Sequence, residues 1–267
     1  MAKHQTELVG KLFETYHSVV TMVFWRSVEL IAMAKYLHYL KGDIVDIGCG
    51  DGTIASLVFE KETISVGYDI EERPVKAASR RGYRAVVVAD ARYTPFRDAC
   101  FDGLFSNSAI EHFPEIDKCC SEFCRISKAG SFFVFTVISG SFYDSFWCSG
   151  IRFGELGKKW MERHRRLRQH LNVWDVDKWK AYLEKHGFEL VDHKHYINPR
   201  AMFWWSLAED AHTWPFGIGS LVPIVINVLI PKRILRDLAL RLLSEDEGLC
   251  NGTDKGAGLL LVARKKF

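Results

Sequence analysis

The sequence predicts an α/β fold with a mostly parallel sheet and helices on both of its faces. Between residues 43 and 138, short β-branched and aromatic runs alternate with polar segments of helical periodicity. The first run, DIVDIG, leads into a turn with glycine at three alternate positions, Gly48, Gly50 and Gly52. Later runs also end in polar residues. Because parallel strands end at one edge of a sheet, we expect a ligand site at that edge.

The segment before the sheet has helical periodicity. Residues 5–40 repeat apolar side chains at the spacing of a helix face, which predicts one or two helices. We expect these helices to form an N-terminal helical lid, residues 1–40, over the ligand site.

The strands follow in order along the chain. The first four are predicted to end near Asp46, Asp69, Asp90 and Asn107, and SFFVFTVIS at 131–139 is the fifth. An aromatic and basic stretch at 140–174 comes next, followed by a helix, a turn at Gly187 and a sixth strand. GAGLLLVARKK is the predicted seventh strand.

These elements predict four parts of the chain. They are the N-terminal lid at 1–40, a core at 41–196 that carries a lid insertion at 140–174, a largely helical insertion at 197–255, and the final core strand at 256–267.

The spacing and charge of the glycine turn select its ligand. Turns that bind a dinucleotide read G-x-G-x-x-G, whereas this one reads G-x-G-x-G. Asp46 and Asp51 would repel a pyrophosphate in a partly desolvated site. The turn therefore favours a cationic ligand, although a tight turn that needs glycine only for its positive φ is the structural alternative.

The segment DIGCGDG resembles the first motif, acidic-x-Gly-x-Gly-x-Gly, of class I S-adenosylmethionine-dependent methyltransferases of the type 11-like group. ISVGYDI, RAVVVADA and FDGLFSNSAIEH resemble the family's next three strand ends, so the resemblance covers roughly residues 40–137, with weaker support at 175–196 and 256–265. It implies a seven-stranded Rossmann-like sheet with an antiparallel sixth and seventh strand, and S-adenosyl-L-methionine as the cofactor. The insertion at 197–255 is the main departure from the family.

The resemblance also implies roles for individual residues. Asp46, Gly48 and Gly50 would hold the methionine end of the cofactor. Asp69 would accept the ribose hydroxyls, and Asp90 with Ala91 would hold the adenine. The full set of implied cofactor-binding residues is Asp46, Gly48, Cys49, Gly50, Asp69, Ile70, Asp90, Ala91, Asn107 and Ser108.

His112 is the candidate catalytic base, because it follows the fourth strand and an imidazole can accept a proton from a hydroxyl as the methyl group arrives. The alternative is a histidine that only packs or hydrogen-bonds there. Methyl transfer requires no metal, and the other histidines show no ligand spacing, so no metal site is predicted.

The predicted function is methyl transfer to a small-molecule or lipid-linked acceptor, with oxygen as the expected target atom. A net charge of +3 and the motif SNSAIEH disfavour nucleic acid as the acceptor. Two alternatives stay open: a non-catalytic S-adenosylmethionine-binding adaptor at a membrane, and carbon or nitrogen methylation of a soluble metabolite.

Residues 213–243 combine an apolar stretch, broken by Pro223, with a basic amphipathic segment. This pattern predicts contact with a membrane surface without crossing it, or else a substrate lid or a dimer interface.

The basic segment GKKWMERHRRLRQH at 157–170 could bind phosphate or could be a solvated helix face. MAKHQTELVG lacks a signal-peptide core, which predicts a cytoplasmic protein, peripheral on the membrane under the first reading. The sequence leaves the oligomeric state open.

Overall fold

The structure, a computed structural model, describes residues 2–16, 19–213 and 255–267. Its α-helices are α1 (Ala2–Tyr16), α2 (Val20–Ala34), α3 (Thr53–Val58), α4 (Glu72–Ala78), α5 (Ile116–Ile126), α6 (Gly150–Arg168), α7 (Val176–Lys185) and α8 (Pro199–Thr213). Its strands are β1 (Ile44–Ile47), β2 (Ile64–Asp69), β3 (Ala85–Val88), β4 (Phe101–Asn107), β5 (Ser127–Ile138), β6 (Phe188–Tyr196) and β7 (Gly258–Lys265).

The seven strands form one sheet in the order β3-β2-β1-β4-β5-β7-β6. The pairs β1 with β2, β1 with β4, β2 with β3, and β4 with β5 are all parallel. The strand order reverses between β1 and β4, which is where an open α/β sheet provides a crevice for a ligand. The predicted seven-stranded, mostly parallel α/β fold is confirmed, and the last two strands are neighbours.

The strands at the centre of the sheet are apolar because both of their faces are covered. All four residues of β1 are buried, and so is most of β4 and β5. On one side, α5 turns Cys119, Cys120 and Phe123 into the core, where they join Phe133 and Trp179. The cysteines of α5 thus pack as small apolar residues, in a position that fixes α5 against the sheet.

The chain divides into two compact units. We call Met33–Gly140, Arg166–Lys194 and Leu259–Phe267 the sheet unit, because it holds nearly the whole sheet. We call Met1–Ala32, Ser141–Arg165 and His195–Gly258 the helical unit. The proposal that residues 1–40 act as a lid stays a prediction.

The helical unit has an aromatic interior with polar groups paired inside it. The Trp25 ring contacts the rings of Phe142, Tyr196 and Trp205. The Tyr196 hydroxyl donates to the buried Glu29 carboxylate at 2.9 Å. These pairings satisfy polar groups that would otherwise be costly to bury.

Residues 214–254 lie outside the described part of the chain, and with them nearly all of the apolar and amphipathic stretch at 213–243. The predictions made for that stretch are therefore untested. Among the helices that are described, none is both long enough and apolar enough to cross a membrane.

Candidate functional site

The turn between β1 and α3 depends on glycine for two different reasons. Gly48 and Gly50 have φ angles of 68° and 52°, a region that other residues rarely adopt. A Cβ on Gly48 would also lie 2.6 Å from the Cβ of Ala109, whereas a Cβ on Gly50 would meet nothing within 4 Å. Gly48 therefore packs against the loop after β4, and the backbone at Gly50 borders open space that a ligand can approach.

Asp69 holds this turn from the end of β2. One carboxylate oxygen accepts the amide of Gly50 at 3.0 Å, and the other accepts the amide of Glu71 at 3.1 Å. The amide of Cys49 donates to the carbonyl of Tyr68 at 2.9 Å. A carboxylate has about four lone-pair sites, so Asp69 retains capacity for ligand hydroxyls while it fixes the turn.

Asp46 lies in the interior, with 3% of its surface exposed. The pKa of its carboxyl group is raised from 3.8 to about 7, and burial is the main cause; the hydrogen bond from the Tyr83 hydroxyl at 2.6 Å lowers this pKa, and the charge of Asp69 raises it. A cation bound nearby would stabilise the ionised form of Asp46. The acidic residue of the motif is thus poised to respond to the charge of a ligand.

The end of β3 carries an ion pair that involves Asp90, one of the residues predicted to bind adenine. The guanidinium of Arg92 lies 2.6 Å from Asp90, and the Arg92 amide also donates to this carboxylate at 2.9 Å. The Arg92 side-chain hydrogen bond is the main reason that the pKa of Asp90 is lowered. Ala91 lies between these two residues, and Arg92 also pairs with Glu115.

The end of β4 is held by Thr136 of the neighbouring strand. The Asn107 side-chain amide donates to the Thr136 hydroxyl at 2.8 Å, and the amide of Ser108 donates to the Thr136 carbonyl at 3.0 Å. Ser108 has a φ of 46°, which is unusual for a residue with a side chain. Asn107 and Ser108 therefore have defined positions at the edge of the sheet.

His112 is exposed and lies in a short 3-10 helix, Ile110–His112, after β4. Its Nδ1 atom is 3.3 Å from the carbonyl oxygen of Gln169. The ring of His170 lies with its centroid 4.9 Å away, so His112 is one of two histidines at this place. The sequence had singled out only His112.

The structure brings most of the sequence-predicted residues to one edge of the sheet. Asp69 bonds to the turn at Gly50, Gly48 approaches the loop that carries His112, and Arg92 connects the end of β3 to Glu115 beyond that loop. Ile70 follows Asp69 directly and is 63% exposed. An exposed apolar side chain beside Asp69 offers a surface for a planar ring.

Four residues at this edge escaped the sequence-based prediction: Tyr83, Arg92, Thr136 and Asn172. Arg92 had a local signal, since a cation two residues after a strand-end aspartate can fold back on it. The other three make contacts that join distant parts of the sequence.

The comparisons with known proteins agree with this geometry. A family model described as a methyltransferase domain matches residues 45–135. A protein of Methanocaldococcus jannaschii is 29% identical over 199 residues, which cover 69% of this chain and 76% of that protein. The 24-methylenesterol C-methyltransferase 2 of Arabidopsis thaliana is 28% identical over 178 residues, 61% of this chain and 46% of the plant enzyme.

The solved structure of an S-adenosylmethionine-dependent methyltransferase of Thermotoga maritima has the same fold. It superposes with a TM-score of 0.58 at 18% identity, over 96% of this chain and 98% of the other. The chain carries a class I S-adenosylmethionine-dependent methyltransferase domain. The matched segment is a methyltransferase domain, for which S-adenosylmethionine is the cofactor.

The residues of this methyltransferase domain fit that cofactor. The open space at Gly50 admits a ligand against the backbone, and the carboxylates of Asp46, Asp51 and Asp69 around the turn favour a cation over a pyrophosphate. The individual cofactor contacts inferred from the resemblance remain predictions.

The raised pKa of Asp46 predicts a pH dependence of stability. An acid whose pKa is raised on folding holds its proton more tightly in the folded protein than in the unfolded chain. Its contribution to stability is therefore complete below the pKa of the unfolded chain, and is lost as the pH rises through the pKa of the folded protein. The melting temperature of wild type should therefore fall, relative to Asp46→Asn, between about pH 4 and about pH 7. Thermal melts of the apo proteins across this range measure the difference.

Tyr83→Phe provides the matched comparison, because it removes the hydroxyl that favours the ionised carboxylate. The loss of stability with rising pH should be larger in Tyr83→Phe than in wild type. Parallel curves for wild type and Asp46→Asn would show that Asp46 ionises normally.

Proposed function

We propose that this domain transfers a methyl group from S-adenosylmethionine to a hydroxyl of a small-molecule or lipid-linked acceptor. The observation that carries the proposal is the exposed His112 on the loop after β4, whose Nδ1 atom contacts a backbone carbonyl. An oxygen acceptor loses a proton as it is methylated, and an oriented imidazole can take that proton at neutral pH.

Each residue at the sheet edge has a proposed part in binding. Asp69 accepts the ribose hydroxyls, and the exposed side chain of Ile70 packs on the adenine ring. Ala91 donates its amide to the adenine, while the Asp90 carboxylate, shared with Arg92, accepts the exocyclic amino group. The turn from Gly48 to Gly50 receives the methionine end, where Asp46 and Asp51 balance the ligand's positive charge.

The reaction needs alignment more than a strong nucleophile from the protein. The cofactor supplies a methyl group activated on a sulfonium, so the carbon–sulfur bond breaks as the carbon–oxygen bond forms. His112 takes the hydroxyl proton at Nε2. Asn107 and Ser108, held by Thr136, line the place where the acceptor is aligned.

Carbon methylation is the second candidate, since the Arabidopsis relative named above is a C-methyltransferase that acts on a sterol. A carbon acceptor also loses a proton, so His112 could serve either reaction. A non-catalytic adaptor that only binds the cofactor is the rival from a different class.

Transfer of an isotopically heavy methyl group tests the proposal. Purified protein is incubated with S-adenosylmethionine that carries a deuterated methyl group, together with aqueous and lipid fractions of source cells. We expect a heavy methyl ether in one fraction, identified by mass spectrometry, and a rate lowered about 100-fold or more in His112→Asn. A heavy methyl on carbon or nitrogen would replace the oxygen assignment. Cofactor binding without any heavy product would favour the adaptor.

We also propose that the helical unit contacts an anionic membrane surface. Leu156 and Trp204 are 69% and 61% exposed, which is costly in water for such large apolar groups. The Phe203 ring contacts Trp204 and lies under the guanidinium of Arg152, so a cation adjoins this aromatic pair. Further cations lie on α6 at Lys158, Lys159, Arg163 and Arg165.

This pairing of aromatic and cationic side chains is typical of groups that lie at the level of lipid headgroups. The membrane contact predicted from residues 213–243 is thereby extended to side chains of α6 and α8. A lipid-linked acceptor would then be methylated where it resides.

Flotation with vesicles tests the membrane contact. Wild type should float with vesicles that contain an anionic phospholipid, and should be released by salt, because the cations of α6 are exposed. The double variant Leu156→Ser, Trp204→Ser should remain at the bottom. Val191→Ser, which removes an exposed apolar side chain from the sheet unit, is the matched control and should float like wild type. Flotation of the double variant at the wild-type level, or none by wild type, would contradict the proposal.

A further inference from the structure

The loop that carries His112 is held in a strained conformation. Ser108 and Glu115, on either side of it, have φ angles of 46° and 47°. Left-handed conformations of residues other than glycine are strained, and persist only where the surroundings impose them. The loop therefore needs external support to keep this shape.

That support comes from Asn172, which lies about sixty residues further along the chain and is 5% exposed. Its side-chain amide donates to the carbonyl of Ile110 at 2.9 Å and to the carbonyl of Phe113 at 2.8 Å. Both amide protons are thus used on carbonyls that flank His112. An aspartate has the same shape but would present two acceptors to these two carbonyls.

The backbone beside Asn172 strengthens the contact. The amides of Leu171 and Asn172 both donate to the carbonyl of Glu111, at 2.7 Å and 2.9 Å. Carbonyls of the residues before and after His112 are therefore bound by one short segment.

The same segment contacts the imidazole itself. Gln169 has a φ of 52°, and its carbonyl oxygen lies 3.3 Å from Nδ1 of His112. A carbonyl oxygen can only accept a hydrogen bond, so a hydrogen bond between these two atoms requires the proton on Nδ1. In the neutral ring the lone pair then resides on Nε2.

We propose that residues 169–172, here called the His112 clamp, position His112 as the base for methyl transfer. The carbonyl of Gln169 selects the tautomer with its proton on Nδ1, and Asn172 holds the loop at the required place. Gln169 and Asn172 are positioning residues that act through His112. The inference rests on the proposed function, in which the acceptor's oxygen binds the methyl carbon, the sulfonium departs as a thioether, and the proton passes to Nε2.

Two titratable groups next to His112 in the described part of the chain are His170 of the clamp, whose ring contacts that of His112, and Glu111, the preceding residue in the loop, which is buried. A histidine released into water favours the opposite tautomer, with its proton on Nε2. The clamp therefore acts against the intrinsic preference of the ring, and its loss should be visible in the ring itself.

Nitrogen NMR of ¹⁵N-histidine-labelled protein tests the clamp without an acceptor, using S-adenosylhomocysteine to fill the cofactor site. The His112 signals, assigned by their loss in His112→Asn, should show a protonated Nδ1 and an unprotonated Nε2 in wild type. In Asn172→Ala the tautomer with its proton on Nε2 should become the major one. Asn172→Ser, which keeps one donor, should give an intermediate population if the alanine variant does not fold.

Asn198→Ala is the matched control, since the Asn198 side chain accepts the amide of Ala201 in the helical unit. It should leave the His112 signals unchanged. Unchanged His112 signals in a folded Asn172 variant, or a protonated Nε2 in wild type, would contradict the proposal that the clamp selects the tautomer of His112.

The heavy-methyl assay separates this inference from the function on which it rests. With the acceptor identified there, Asn172→Ala should lower kcat about tenfold or more while KM for the acceptor changes less than twofold. A normal kcat in His112→Asn would show that His112 is not the base, which contradicts the proposed function but does not affect the tautomer measured by NMR. A kcat loss in Asn172→Ala without a tautomer change would instead make Asn172 a structural residue.

Discussion

The hydrogen bond between the Asp69 carboxylate and the amide of Gly50 is the contact on which the site depends. It joins the end of β2 to the turn after β1, the strand that borders the reversal of strand order between β1 and β4. Gly48 and Gly50 keep left-handed conformations there, and the backbone at Gly50 stays open to a ligand. Because Asp69 has accepting capacity left, one carboxylate can fix the turn and also receive ligand hydroxyls.

Charge then determines which ligand this turn accepts. Three carboxylates, those of Asp46, Asp51 and Asp69, belong to the first two strand ends, where Arg81 lies 3.9 Å from Asp51, whereas the single carboxylate of Asp90 lies 2.6 Å from Arg92. Negative charge is thus concentrated beside the glycine turn and reduced at the end of β3. This distribution matches a molecule whose cationic end lies at the turn and whose neutral ring lies further along the sheet edge. Because burial raises the pKa of Asp46, a cationic ligand bound at the turn would favour its ionised form.

The sheet and the turn could be predicted because their signals are local. β-Branched runs, glycine spacing and strand-end aspartates are all read within about ten residues of each other. The contacts of Tyr83 with Asp46 and of Asn172 with Ile110 could not, since these partners are 37 and 62 residues apart. Nothing in the local sequence RGYR indicates that its tyrosine will bind a buried carboxylate. Exposed residues such as Ile70 also depend on the fold, because exposure follows from what the neighbouring elements leave uncovered.

Titration calorimetry of cofactor binding tests the central claim, that an acidic glycine turn held by Asp69 binds S-adenosylmethionine. S-adenosylmethionine and S-adenosylhomocysteine should bind to wild type, and NAD should not. Asp69→Ala should weaken the binding of S-adenosylhomocysteine by about 1.5 to 3 kcal/mol, the usual contribution of hydrogen bonds to a charged group. Tighter binding of NAD than of either methionine derivative, or an unchanged affinity in a folded Asp69→Ala variant, would contradict the account.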